Sequence, residues 1–121
     1  MTESQPRPIR EAGELDTVLR EPVAILYKHS PLCGSSAAAA RQVRTFMDAH
    51  PDVPVYLVDV IRDRPLAREV TRRLGIRHES PQALVLRTGD VVWTGSHTAV
   101  TADQLGESVN GARTPDTGGE R

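Results

Sequence analysis

Two apolar runs without alternation mark the chain. Val23-Ala24-Ile25-Leu26-Tyr27 has strand length and no polar position. It predicts a strand over Val23 to Lys28 that is covered on both faces. Val55 to Val60 repeats the pattern, interrupted only by Asp59. Between them Ala40, Val43, Phe46 and Met47 recur at helical spacing, with Arg41, Gln42, Arg44 and Asp48 facing water, which predicts a helix from Gly34 to Ala49. Leu15, Val18 and Leu19 give one face of a short helix over Glu11 to Arg20, stopped before Pro22. Leu66, Val70 and Leu74 form the stripe of another, opened by Asp63 and Pro65 and ended at Gly75.

The second half of the chain is more punctuated. Ile76 to Gln82 reads as a loop and Ala83 to Leu86 as a strand. Thr88-Gly89-Asp90 reads as a hairpin turn, and Val91-Val92-Trp93 as the returning strand. Thr101 and Gln104 match a capping box before a final helix with Leu105 and Val109 inward. Residues 1–9 and 111–121 are polar, with proline, glycine and charge, and read as disordered ends of a domain over 10–110. Strand–helix–strand units followed by a hairpin predict an α/β chain with the succession of a thioredoxin fold. That is a four-stranded mixed sheet sandwiched by helices, with an N-terminal helix.

Composition narrows the functions. A chain of 121 residues suits one core. A formal net charge of -1 supplies no global field to recruit nucleic acid or an anionic membrane. No apolar run approaches membrane-spanning length and no leader pattern opens the chain, so the expected location is the cytoplasm. Metal-ligand spacing is absent, so no metal site is expected. Cys33 is the only cysteine, which excludes an intramolecular disulfide.

That cysteine stands between a strand and the start of a helix, in Tyr27-Lys28-His29-Ser30-Pro31-Leu32-Cys33-Gly34-Ser35-Ser36. Helix N-termini offer unpaired amides and a positive dipole end, which favour a thiolate, the nucleophile of thiol–disulfide exchange. Lys28 and His29 bring possible positive charge; His29 can stabilise a thiolate or shuttle a proton, or simply face solvent. Ser36 occupies the place of the second cysteine in C-x-x-C redox proteins. It can donate a hydrogen bond to a thiolate but cannot resolve a disulfide. A plain alternative is a packed cysteine with Ser35 or Ser36 as a helix cap. Asp59 reads as a loop cap or a buried proton-transfer carboxylate, and the loop cap is favoured. The roles of His78 and His97 stay open. Arg68, Arg72 and Arg73 read as solvated helix charge or as a greeting for the carboxylates of an acidic thiol.

Three segments carry a resemblance. Lys28-His29-Ser30 with Cys33 and Ser36, His78-Glu79-Ser80-Pro81-Gln82, and Ser96-His97 with Val100-Thr101 resemble, in order, the motifs of the YtxJ-like monothiol bacilliredoxins. The resemblance implies a thioredoxin-superfamily protein of the bacillithiol system: a monothiol thiol–disulfide oxidoreductase that removes bacillithiol from protein mixed disulfides. It assigns Cys33, Ser36 and His29 to catalysis and Ser30, Ser80, Pro81 and Gln82 to substrate binding, with Pro81 in a cis peptide bond. It implies bacillithiol as co-substrate and bacillithiolated clients as partners; with a single cysteine, a second low-molecular-weight thiol must regenerate Cys33. No bound cofactor is expected, and the chain is expected to act as a monomer. Two other readings stand beside it. One is a dimer sharing an iron–sulfur cluster, as monothiol glutaredoxins do; the other is a thiol sensor or interaction module without turnover.

Overall fold

The computed structural model describes residues 4–32 and 34–113. Cys33, on which the chemical reading turns, lies outside the described residues, as do 1–3 and 114–121. The elements are β1 (Arg7–Pro8), α1 (Ala12–Arg20), β2 (Ala24–His29), α2 (Gly34–Ala49), β3 (Val55–Asp59), α3 (Arg64–Leu74), β4 (Gln82–Arg87), β5 (Asp90–Ser96) and α4 (Ala102–Arg113). A 3-10 turn at His97–Ala99 precedes α4.

One mixed sheet carries the fold, in the order β1-β3-β2-β4-β5. β2 pairs parallel with β3 and antiparallel with β4. The central position of β2 explains its unbroken apolar run. Ala24 and Leu26 enter a core with α1 and α3, while Ile25 and Tyr27 enter a second core with α2 and α4. Successive residues of a strand face opposite sides, and here both sides are covered.

The helices bury the expected kinds of stripe. α3 turns Leu66, Ala67 and Val70 inward and ends on Gly75 in the left-handed region, φ 66°. α2 buries Ser36, Ala39, Val43 and Phe46. Its inward face is therefore rotated from the expected one: Ala39 replaces Ala40 at the centre, and Ala40 and Met47 sit partly buried at its edge. The hairpin β4–β5 turns on Thr88 (φ 48°) and Gly89 (φ 86°), the positive φ pair of a tight two-residue turn. A Cβ at Gly89 would stand 3.0 Å from the Leu19 carbonyl oxygen, so glycine is needed there for space as well as conformation.

Three expectations need correction. The sheet has five strands rather than four, because Arg7 and Pro8 pair with Tyr56 and Leu57 on the open edge of β3. Ile9 is buried and its N–H donates to the Leu57 carbonyl at 2.9 Å, so residues 7–9 belong to the fold and not to a disordered end. α4 runs on to Arg113, because Ala112 still packs into the core and Arg113 pairs with Asp52; of the expected disordered tail, 114–121 lie outside the described residues. Among the described residues no helix is long and apolar enough to cross a membrane.

Candidate functional site

The buried polar residues of the described chain are Lys28, Ser30, Ser36 and Gln82. They come from the end of β2, the turn after it, the first turn of α2 and the start of β4. All four therefore gather where the chain approaches and leaves position 33. Burying polar groups costs free energy unless each finds a partner, so four at one end of the sheet mark a constructed site. No described buried side-chain nitrogen or oxygen lacks a hydrogen-bond partner.

Lys28 and Gln82 face each other across β2 and β4, and Lys28 Nζ donates to Gln82 Oε1 at 2.9 Å. Lys28 is only 1% exposed. Desolvation pulls its ammonium down to a pKa of about 8, partly opposed by the Glu79 carboxylate. Gln82 is used at both ends of its amide. Its Oε1 also accepts from the Glu79 N–H at 3.4 Å, and its Nε2 donates to the Arg77 carbonyl at 3.1 Å and Thr94 Oγ1 at 3.5 Å. The amide thus ties β2, the 77–81 loop and β5 together. The Ser80–Pro81 peptide bond on that loop is cis. From the far side the His97 N–H donates to the Pro81 carbonyl at 3.0 Å.

A second network lies on the α2 side. Tyr27 Oη is 3.1 Å from His29 Nδ1 and donates to the Ser36 carbonyl at 3.4 Å. The His29 ring is tilted against Tyr27 with centroids 5.6 Å apart. Burial pulls the His29 pKa below its ordinary value; Asp59 opposes this and Arg44 reinforces it. The imidazolium is thereby disfavoured, so His29 supplies little fixed positive charge at the end of β2. Ser36 Oγ accepts the Ser30 N–H at 3.3 Å and clips the start of α2 to the end of β2. The Ser36 hydroxyl keeps its own hydrogen to donate.

The remaining candidates separate clearly. Asp59 Oδ1 accepts from the Ile61 and Arg62 N–H groups at 3.0 and 2.9 Å, a loop cap as expected. Ser30, Ser80 and His78 line one groove of about 520 Å³ between the turn after β2 and α3. Burial and the Lys28 charge pull the His78 pKa down, against Glu79. Sequence reasoning missed Tyr27 as a site residue. The available signal was a hydroxyl in an otherwise apolar central strand, which must find a partner when buried.

The fold and this arrangement are those of a thioredoxin-fold protein of the thiol-redox class. A solved structure described as a candidate oxidoreductase with a thioredoxin fold is 25% identical, spans 85% of this chain and 92% of its own, and superposes with a TM-score of 0.80. A thioredoxin variant from Halobacterium salinarum is 20% identical over 95% of this chain and 96% of its own, with a TM-score of 0.73. Mitochondrial thioredoxin 3 from Saccharomyces cerevisiae shares the fold at 13% identity, covering 88% and 94%, with a TM-score of 0.70. The family model described as monothiol bacilliredoxin BrxC matches residues 7–105, and the chain belongs to that family.

Proposed function

We propose that the protein removes bacillithiol from mixed disulfides on client proteins, using Cys33 as its one exchanging sulfur. The observation that carries this reading is the conjunction of the family match over 7–105 with a single cysteine, bonded directly to the first residue of α2. The Cys33 thiolate attacks the bacillithiol sulfur of the mixed disulfide. The new bond joins Cys33 to bacillithiol, the old bond breaks, and the client leaves as a thiolate with the electron pair. A second low-molecular-weight thiolate then attacks the bacillithiol sulfur on Cys33, releasing the small disulfide and the Cys33 thiolate.

The amides of the first turn of α2 and the Ser36 hydroxyl favour the ionised sulfur. Neutral His29, held by Tyr27, takes or returns the proton. The backbone beside Pro81 receives the extended segment that carries the client disulfide, with Gln82 fixing the loop from beneath and Ser30 and Ser80 lining the approach. No resident cofactor enters the cycle. The protein acts as a monomer in a reducing cytoplasm, where the exchange can run in this direction.

The test is turnover. With a bacillithiolated client and excess small thiol, one equivalent of protein should free many equivalents of client. Without the small thiol, release should stop at one. Release that stays stoichiometric with the thiol present would reduce the protein to a sensor.

A further inference from the structure

The groove beside the turn after β2 has a charge that the exchange steps leave unused. Arg64 and Arg68 stand one helical turn apart on α3, and both line it together with Ser30, Ser80, Thr71 and His78. Other arginines of the same helix are engaged: Arg72 pairs with Glu69 at 2.5 Å, and Arg73 with Asp16 at 2.5 Å and Glu69 at 3.5 Å. Among the described residues Arg64 and Arg68 have no carboxylate at ion-pair distance. Glu79 lies near enough to act on His78 but does not line the groove. Two unneutralised guanidinium groups in one concavity form a fork for carboxylates. The volume, about 520 Å³, is that of a small-molecule site rather than of a protein interface. Val60 and Ala67 add an apolar side to the groove.

We infer that this groove seats the small-thiol half of the mixed disulfide, and that it selects thiols carrying carboxylates. Arg64 and Arg68 take the carboxylates, and the hydroxyls of Ser30, Ser80 and Thr71 meet the polar body. The inference rests on Cys33 being the exchanging sulfur, since Ser30 precedes it by three residues and Ser80 adjoins Pro81. An anionic thiol is thereby separated from a neutral one of equal size.

Binding to the resting protein tests this without turnover, so failure here is distinguishable from failure of client release. The probe is S-methyl mercaptosuccinate, a dicarboxylate with its sulfur blocked, titrated by calorimetry at low salt. Its diamide is the neutral counterpart. The dicarboxylate should bind and the diamide should not. The paired substitutions Arg64→Gln and Arg68→Gln should weaken binding by at least about tenfold, as expected for loss of two charge-assisted contacts. Arg72→Gln, which removes the same charge outside the groove, should change it by less than about twofold. All three arginines are exposed, so circular dichroism and melting should be unchanged; if the pair does not fold, the single substitutions are read instead. The inference is overturned if the dicarboxylate fails to bind, if the diamide binds equally, or if Arg72→Gln costs as much as the groove pair.

Discussion

Replacing Lys28 by methionine isolates the energetic cost of the buried ammonium. Lys28 is sealed from water and its pKa falls from 10.5 to about 8 in the folded chain. A lowered lysine pKa means that the unfolded chain holds more protons between those two values, so stability rises with pH across that window. Below pH 8 both states are largely protonated and the folded state carries the full penalty, about 3 kcal/mol for a shift of this size. Integrating the linkage between pH 7 and 9.5 gives a gain of about 2 kcal/mol for the native chain from this residue alone. Lys28→Met keeps the length of the side chain and removes the titration. Gln82 Oε1 keeps the Glu79 N–H as a donor, so the substitution leaves no orphaned acceptor. Urea unfolding of both proteins at pH 7 and pH 9.5 cancels the groups they share. The variant should be the more stable at pH 7 and lose about 2 kcal/mol of that lead by pH 9.5. A lead that is absent, or that does not shrink with pH, would refute the burial argument.

Three other outcomes follow from the same geometry. Gln82→Leu removes the acceptor from a buried ammonium and three further contacts, and should cost about 3 kcal/mol in urea unfolding at pH 7; a loss under about 1 kcal/mol would mean that Lys28 finds another partner. His29 should titrate below an ordinary histidine when followed by NMR, because its ring is partly buried against Tyr27; a value at or above the ordinary one contradicts the neutral proton carrier. Gly89→Ala should cost at least about 1 kcal/mol, since its φ is positive and the added Cβ meets the Leu19 carbonyl; an unchanged midpoint would show that the turn can relax.

Much of the fold was legible because its centre is regular. The run Val23 to Tyr27 announced a strand covered on both faces, and the Leu66–Val70–Leu74 spacing announced α3. What was missed depends on partners distant in sequence. Arg7–Pro8 has no strand pattern of its own and pairs only because β3 presents a free edge. β5 reaches Ser96 rather than ending at Trp93, because Gly95 leaves room for the Trp93 ring; a Cβ there would stand 2.4 Å from it. In the site, the motif residues His29, Ser30, Ser36, Ser80, Pro81 and Gln82 were named from sequence. The burial of Lys28 was not, because a lone lysine reads as solvated and its acceptor, Gln82, lies 54 positions away. The groove arginines were invisible as a pair for a similar reason. Arg64 and Arg68 stand out from Arg72 and Arg73 only once the carboxylates of Glu69 and Asp16 are placed.

The most direct measurement mixes the protein with a bacillithiolated client, without a second thiol, and weighs both chains intact after a single exchange. The mass of one bacillithiol should leave the client and appear on this chain, mapped by digestion to Cys33, with none transferred to a Cys33→Ser variant that folds normally. A client that regains its free thiol while Cys33 stays unmodified, or a client that never loses its adduct, would contradict the one-sulfur exchange.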